Sequence, residues 1–206
     1  MKKIIVIAAA LLLGFQAKAQ IIADAGFAVA FENTRNDLGY YHPSTMYGVF
    51  AGANYYYNLD SIVDGLAVLP GANLSVLIGR HWDLSDVRVR ELALNIPLQA
   101  SYTYEINEHV KVFGQTGPTL QFALAHKVRD SRGTTYSLLN KSNLFGEVRN
   151  PFNIYWGFAA GAEINDQFRI DVGFDLGLLN LNRRIEHSTI NKISRNFLHI
   201  GVGYLF

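Results

Sequence analysis

The final segment of the chain alternates apolar side chains with small or polar ones, and this pattern constrains the fold more than any other feature. One face of residues 198–206 carries Leu198, Ile200, Val202, Tyr204 and Phe206, and the other carries His199, Gly201, Gly203 and Leu205. Alternation that ends on an aromatic residue is typical of a barrel strand whose outer face contacts lipid. An ordinary sandwich strand has the same alternation and is the alternative.

The first residues have the organisation of a secretory signal peptide. Lys2 and Lys3 precede an apolar run from Ile4 to Phe15, and Ala17-Lys18-Ala19 is a small-x-small cleavage site. The apolar run is too short to span a bilayer as a helix. We therefore predict a signal peptide at residues 1–19, cleavage after Ala19, and one barrel domain at residues 20–206. Without a later apolar stretch of transmembrane length, a membrane location requires strands that close on themselves.

Composition excludes several classes of protein. The sequence has no cysteine, which excludes a lipoprotein anchor, a disulfide framework and a thiolate metal site. The formal net charge is +1, and loss of Lys2, Lys3 and Lys18 with the signal removes three positive charges and leaves −2. The excess of positive charge thus belongs to the signal and does not indicate a nucleic-acid ligand. We predict no cofactor and no nucleic-acid partner.

Eight segments of the chain read as strands separated by clusters of Gly, Asn, Asp and Pro. They are Ala23 to Glu32, Met46 to Tyr57, Leu66 to Gly79, Val87 to Ile106, Val110 to Ala125, Phe152 to Ile164, Phe168 to Leu181, and Phe197 to Phe206. We predict an all-β fold, an eight-stranded antiparallel up-and-down transmembrane β-barrel in the outer membrane.

The fourth predicted strand shows the two faces most clearly. Its apolar face carries Leu92, Leu94, Ile96, Leu98, Ala100, Tyr102 and Tyr104, and its polar face carries Glu91, Asn95, Gln99, Ser101, Thr103 and Glu105. In a soluble sandwich the polar face would contact water, whereas in a barrel it fills the interior. The signal peptide and the two tyrosines at one end of the strand favour the barrel.

Connections between the predicted strands alternate between short and long, as in outer-membrane barrels. We predict tight periplasmic turns at Asn107 to His109 and Asn165 to Gln167. The predicted external loops are Asn33 to Thr45, His81 to Asp86, His126 to Asn150, and Asn182 to Asn196. The segment Asn58 to Gly65 is long for a periplasmic turn, and we expect a short helical turn within it.

Three motifs resemble those of a known family. They are Glu91-Leu92-Ala93-Leu94-Asn95-Ile96-Pro97-Leu98, then Gly117-Pro118-Thr119-Leu120, and the terminal Tyr204-Leu205-Phe206. Together they are similar to the PorT-like outer-membrane β-barrel family of Bacteroidota. The resemblance implies a barrel fold and an outer-membrane location. Since some members of that family are tied to protein secretion or gliding, it also implies a secretion-accessory role as one possible function.

The interior of an eight-stranded barrel is just wide enough for side chains to fill, so we do not expect a diffusion pore. Inward positions carry charges that can pair with one another. The predicted polar plug consists of Asp24, Glu91, Asp171, Asp175 and His199. A gated channel or a ligand-binding lumen is the alternative.

A short repeat spans the two predicted periplasmic turns. Residues 105–112 and 163–170 follow one order: Glu, Ile, Asn, acid, variable, apolar, base, apolar. Because Ile106 and Val110 must both face lipid, this register requires a loop of odd length, most simply three residues, and excludes a two-residue turn.

The same register predicts two inward ion pairs near the turns. Glu105 should lie opposite Lys111, and Glu163 should lie opposite Arg169. We expect both turns to close by the same hairpin, and each pair to contribute about 0.2–1 kcal/mol.

An enzyme that modifies lipid A is a less favoured hypothesis. Candidate residues in the external loops are His81, His126, His187, Ser85, Ser131, Ser137 and Ser188. Nucleophilic catalysis needs a base within hydrogen-bond reach of the hydroxyl and a third group that orients the base. No spacing in the sequence requires such a constellation, and we predict no catalytic residue and no metal site.

Positive charge in the third and fourth external loops indicates a surface that could bind anions. The third loop contains Lys127, Arg129, Arg132, Lys141 and Arg149, and the fourth contains Arg183, Arg184, Lys192 and Arg195. We predict anion binding by Arg129, Arg132, Arg183 and Arg184, with lipopolysaccharide phosphates or an acidic surface glycan as the ligand. A solvated, salt-screened loop is the alternative.

These observations favour a small outer-membrane barrel with a structural, adhesive or secretion-accessory role. Predicted partners are outer-membrane lipid, lipopolysaccharide, the barrel-assembly machinery and a component of a secretion system. Tyr204 and Phe206 are predicted to form part of the signal that the assembly machinery reads.

Overall fold

Alternating apolar residues produce long antiparallel strands throughout the described part of the chain. The structure is a computed structural model that describes residues 19–81, 87–130, 132–140, 148–183 and 190–206. The strands in these ranges are β1 (Ala19–Asn36), β2 (Tyr41–Asn58), β3 (Leu66–Arg80), β4 (Arg88–Asn107), β5 (Val110–Arg129), β6 (Thr135–Ser137), β7 (Phe152–Ile164), β8 (Phe168–Gly177) and β9 (Ile190–Leu205). Within those same ranges, no helix has the length and apolar character needed to cross a bilayer.

Eight of the strands close into a ring. Each strand pairs with the next in the order β1, β2, β3, β4, β5, β7, β8, β9, and β9 pairs back with β1. Every pairing is antiparallel, and β6 extends β5 as a short hairpin beyond the ring. Closure removes the exposed backbone edge that lipid would not tolerate. The predicted eight-stranded up-and-down barrel is confirmed.

Side chains divide into an apolar outer wall and an interior, in the predicted register. On β8, Phe168, Ile170, Val172, Phe174 and Leu176 are exposed, while Arg169 and Gly173 are buried. The predicted outward rows of β4, β5 and β9 are exposed in the same way, except that Leu94 and Tyr204 are half-buried. An apolar outer wall on a closed barrel is the surface that contacts lipid in outer-membrane barrels.

The two ends of the barrel differ, and we name them by their connections. The turn end carries the connections from β2 to β3, β4 to β5 and β7 to β8; the loop end carries the others. At the turn end, the Leu59 carbonyl accepts hydrogen bonds from the Ile62 and Val63 amides (2.8 and 3.2 Å), as in one helical turn. The hydrogen bonding of the Asn58 to Gly65 segment therefore agrees with the short helical turn expected there.

Several strands extend beyond the boundaries read from the sequence. The predicted loop from Asn33 to Thr45 is wrong, because β1 and β2 are separated only by residues 37–40. Likewise β5 continues to Arg129 and β9 begins at Ile190, so the first four residues of the predicted third loop and the last seven of the predicted fourth loop are strand. These extensions carry polar residues on both faces, so apolar alternation does not reveal them. In the other direction, β8 ends at Gly177, four residues before the predicted Leu181.

The two repeat-containing turns close differently, and the exclusion of a two-residue turn is wrong for the first. Asn107 pairs with Val110, and a bulge after Glu105 restores the register. The Asn107 side-chain oxygen accepts hydrogen bonds from the His109 and Val110 amides (2.9 Å each), which stabilises this tight turn. The second turn has the predicted three residues, since Ile164 pairs with Phe168. There Asn165 and Asp166 adopt positive φ angles of 53° and 56°, which Asn and Asp tolerate.

Candidate functional site beneath the loops

Three strands and one loop bring four charged side chains into the interior at the loop end. Glu32 shares the inward face of β1 with Ala28 and Ala30, and Glu91 lies inward on β4. Arg195 lies inward on β9, in step with Phe197. Arg149 follows the third loop and reaches the interior from above. All four side chains are buried.

Arg195 is the centre of this network. Its Nη1 donates to both carboxylate oxygens of Glu91 (2.6 and 2.7 Å), and its Nε and Nη2 donate to Glu32 Oε2 (3.0 and 2.8 Å). One guanidinium group thus bridges β1, β4 and β9 across the barrel. Only 2% of the surface of Arg195 is exposed, so these charge-assisted bonds lie in a low-dielectric environment.

Arg149 connects the third loop to the same network. Its Nη2 donates to Glu32 Oε1 at 2.7 Å, so that each oxygen of Glu32 contacts a different arginine. The backbone of Arg149 is also fixed in place. Its amide donates to the Leu138 carbonyl (2.8 Å), and Arg149 forms a β-bridge with Asn182. Leu138 and Val148 are completely buried. The loop therefore packs onto the barrel through both apolar and ionic contacts.

His126 completes the network from β5. Its Nδ1 lies 2.6 Å from Glu91 Oε2, and the ring is buried. Within the described ranges Nε2 has no hydrogen-bond partner, and His126 and Asn153 both line a cavity of about 10 Å³. A cavity of this size holds about one water molecule.

The network balances its own charge. Two carboxylates, Glu32 and Glu91, face two guanidinium groups, Arg149 and Arg195, at hydrogen-bond distances. Burial of such groups is tolerated only when each is paired, and loss of one partner is costly. Chemically, the arrangement is suited to hold strands and a loop in one geometry.

Comparison with known proteins identifies the family. Residues 5–206 match the family model described as outer membrane protein beta-barrel domain. The chain belongs to this outer-membrane β-barrel family. The outer-membrane location expected from the sequence therefore follows from family membership as well.

Solved structures that align with this barrel include three proteins. Ail, the attachment invasion locus protein of Yersinia pestis, is 16% identical, with 92% of this chain and 99% of Ail covered and a TM-score of 0.45. Neisserial surface protein A is 14% identical, with 91% and 97% covered and a TM-score of 0.45. The outer membrane enzyme PagL is 9% identical, with 87% and 98% covered and a TM-score of 0.40. No curated protein matches the chain.

The predicted plug residues of this outer-membrane barrel divide into two groups. Glu91 belongs to the loop-end network, whereas Asp24, Asp171, Asp175 and His199 line a cavity of about 130 Å³ in the middle of the barrel. His199 Nε2 lies 3.7 Å from Asp171 Oδ1, and Nδ1 lies 3.4 Å from Asp175 Oδ2. The structure therefore brings the middle four together and places Glu91 elsewhere.

A chain of amide side chains lines the same cavity. Asn95 Nδ2 donates to Asn73 Oδ1 (2.8 Å), and Gln121 Nε2 donates to Asn95 Oδ1 (2.9 Å). The Tyr155 hydroxyl then donates to Gln121 Oε1 (3.0 Å). The interior is not uniformly polar, however, because apolar clusters lie toward both ends. One includes Met46, Leu77, Val89, Val128 and Leu138, and the other is Ile22, Ala67, Leu69 and Leu205.

The two turn-end pairs differ. Glu163 lies directly opposite Arg169, with Glu163 Oε2 3.9 Å from Arg169 Nη1, and both are buried. Glu105 lies opposite Lys111 in the ladder, but its side chain is exposed, and Lys111 Nζ lies 2.7 Å from Asp166 Oδ1. The inward ion pair expected for Glu105 is therefore wrong, because Glu105 lies at the exposed end of its strand and Lys111 contacts Asp166 instead.

Arg169 also contacts two aromatic rings, which the sequence analysis did not anticipate. Its guanidinium carbon lies 3.7 Å from the centroid of the Phe113 ring and 5.7 Å from that of Tyr56. These cation–π contacts hold the side chain against the inner wall.

The predicted loop cations have different environments. Arg129, Arg132 and Arg183 are exposed at the loop end, whereas Arg184 and Lys141 lie outside the described residues. The assignment of Arg149 and Arg195 to a solvated loop surface is wrong, since both are buried in the network.

The structure describes only some of the residues that were considered as catalytic candidates. Ser85, Ser131, His187 and Ser188 lie outside the described residues. His126 is not on an exposed loop as expected but inside the barrel, oriented by Glu91 as a catalytic histidine would be. A hydroxyl within hydrogen-bond reach of its Nε2 is absent from the ranges that the structure describes.

Proposed function

We propose that this chain is a PorT-like outer-membrane barrel with a structural, adhesive or secretion-accessory role, and that it presents its third and fourth loops on a closed, non-conducting barrel. The observation that carries this proposal is the Arg195 network. A bore used for transport would not be crossed by four buried, mutually paired charges and by the buried loop residue Leu138. The cost of opening it would be several kcal/mol, as expected for breaking buried ion pairs.

Single-channel recording in planar bilayers tests closure. The refolded parent protein should show no conductance steps at moderate voltage, while simultaneous Arg149→Met and Leu138→Gly should produce them. Conductance of the parent would overturn the closed-barrel proposal and favour the narrow gated channel.

Partner identity is the second part of the proposal. The expected partners are lipopolysaccharide, contacted by exposed Arg129, Arg132 and Arg183 together with Arg184, and a component of a secretion system. Mild crosslinking in native outer membranes, followed by purification, distinguishes a secretion component from lipopolysaccharide alone. If neither lipopolysaccharide nor a secretion component is recovered, both partner assignments are contradicted and only the structural role remains.

Export and assembly supply two further expectations. A signal cleaved after Ala19 would leave Gln20 inside β1, near the strand end that pairs with β2. The Tyr204 and Phe206 rings pack edge-to-face with 4.8 Å between centroids, and Phe206 is largely exposed at the turn end. Deletion of Phe206 should leave signal removal intact and lower the yield of folded barrel. Equal yields would contradict the assembly signal.

Lipid A modification is the second candidate, favoured by the Glu91–His126 pair alone. We expect no acyl-chain hydrolysis of purified lipid A by the barrel. Hydrolysis that is lost in His126→Gln and retained in His81→Gln would replace the structural proposal with an enzymatic one.

A further inference from the structure

Five cationic side chains come together on the outer wall at the loop end of β3, β4 and β5. The pairing register sets Arg80 opposite Arg88, and Arg88 opposite Arg129. Two residue pairs further from the rim, past the inward pair Val89 and Val128, Arg90 lies opposite Lys127. Three arginines on three neighbouring strands thus form one row, and a second row lies directly below it.

A β-bulge in β5 brings two of the five cations, Lys127 and Arg129, onto the outer wall. Leu92 pairs with Ala125 and Ala93 pairs with Ala123, so Leu124 is an extra residue in β5. Beyond the bulge, odd-numbered residues of β5 face outward, and Lys127 and Arg129 are exposed while His126 and Val128 are buried. Without this change of face, Lys127 and Arg129 would lie inside the barrel.

The patch has no anionic partner within the described part of the chain. Arg80, Arg88, Arg90, Lys127 and Arg129 are all exposed, and no ion pair is formed by any of the five among the described residues. Like charges directly opposite one another in a sheet are destabilising. Arg88 has an arginine on both sides, so this row of the sheet favours a bound anion.

Its position relative to the apolar wall indicates where that anion lies. Ile78, Leu92 and Leu124 are exposed apolar residues immediately below the patch on the same three strands. The cations therefore begin where the lipid-facing wall ends, which is the level of lipid headgroups. On the other side of β5, Thr135 and Ser137 of β6 pair with Arg129 and Lys127 and add hydroxyl groups.

We propose that Arg80, Arg88 and Arg129 bind a phosphate group of an anionic lipid in the leaflet around the barrel, and that Arg90 and Lys127 support the same headgroup. Guanidinium groups form bidentate hydrogen bonds with phosphate oxygens, and one phosphate relieves the repulsion of the whole row. The site is on the barrel wall, so it does not depend on the loops being a binding surface.

Lipid retention by the full-length mature barrel tests the site. The probe is bisphosphorylated lipid A in phosphatidylcholine nanodiscs, with dephosphorylated lipid A and millimolar inorganic phosphate as comparison arms. Native mass spectrometry should show retained bisphosphorylated lipid A on the parent, and Arg88→Gln should weaken its retention by roughly tenfold. Arg35→Gln removes the same charge from the exposed face of β1 at the same end of the barrel and should leave retention unchanged. Equal loss in both variants, equal retention of dephosphorylated lipid A, or displacement by inorganic phosphate would overturn the proposal.

The sign of the stability change provides a second, independent readout. In neutral detergent, Arg88→Gln should raise the temperature at which the barrel loses its heat-modifiable mobility, because the substitution relieves repulsion from Arg80 and Arg129. In lipid A nanodiscs the same substitution should lower that temperature. A change of the same sign in both media would show that no phosphate occupies the row.

Discussion

Two polar clusters occupy the interior of this barrel, and they differ in how closely their charges are paired. In the loop-end network, Arg195 contacts Glu32 and Glu91 at 2.6–3.0 Å, and all three side chains are buried. In the middle cluster, His199 lies 3.4 Å from Asp175 and 3.7 Å from Asp171, and these side chains remain partly accessible.

This difference indicates two different roles. The loop-end charges are screened only by one another, so they act as a fixed joint among β1, β4, β9 and the third loop. The middle charges line a cavity of about 130 Å³, where water can solvate them. Substitutions should therefore cost much more in the first cluster than in the second.

The largest effect is expected for Arg195→Met. It leaves two carboxylates buried, Glu32 with one remaining arginine and Glu91 with only His126. Loss of one member of a buried ion pair costs about 3–5 kcal/mol. The free energy of unfolding, measured by tryptophan fluorescence in urea with the barrel in lipid vesicles, should fall by that amount.

Arg183→Met is the matched control, since Arg183 is exposed at the same end of the barrel. Its unfolding free energy should stay within about 0.5 kcal/mol of the parent value. Similar costs for the two variants would mean that the network does not stabilise the fold.

The alternation of inward and outward residues along the strands predicts some members of the loop-end network but not all of them. Glu91 was predicted to face inward, and Glu32 has the same parity as Asp24 on the first strand, so the signal for it was present. Arg195 also has inward parity with His199, but the strand boundary at Phe197 excluded it because no apolar alternation precedes that residue. The inward positions of Glu32, Glu91 and Arg195 can therefore be read from the sequence.

Strand alternation does not predict that His126 and Arg149 lie in the interior. The bulge at Leu124 reverses the face of β5, so counting from Leu120 places His126 incorrectly. A bulge here depends on pairing with β4, which a single strand does not reveal. Arg149 enters from a loop, where no periodicity applies. Its partner Glu32 is distant in sequence.

The next effect in size is expected at the turn end, for Arg169→Glu. The new carboxylate would be buried opposite Glu163 and would lose the contact with the Phe113 ring. We expect a cost of about 2–3 kcal/mol in the same unfolding assay.

Adding Glu163→Arg tests the register. The double variant should recover part of the loss, because the charges are again opposite. Recovery should be incomplete, since an arginine at position 163 does not recreate the stacking of Arg169 on Phe113. A double variant no more stable than the single one would contradict a direct pairing of the two positions.

Arg149→Met should have a smaller effect on stability but a clear effect on the loop. Glu32 keeps its contacts with Arg195, so only about 1–2 kcal/mol should be lost. The loop between β5 and β7 should open more often, and cleavage by chymotrypsin between residues 132 and 148 should accelerate. With Arg183→Met as control, equal cleavage rates would show that Leu138 and Val148 alone hold the loop.

The smallest effect is expected for His199→Gln, which tests the looser cluster directly. The imidazole lies 3.4 Å or more from both carboxylates and packs edge-to-face with Phe50 at 6.0 Å between ring centroids. Because Asp171 and Asp175 face the cavity, water can replace the histidine as their hydrogen-bond donor. We expect the unfolding free energy to fall by less than about 1 kcal/mol. A loss as large as that of Arg195→Met would show that the cavity does not hydrate these carboxylates. The middle cluster would then be a second structural joint rather than a solvated part of the lumen.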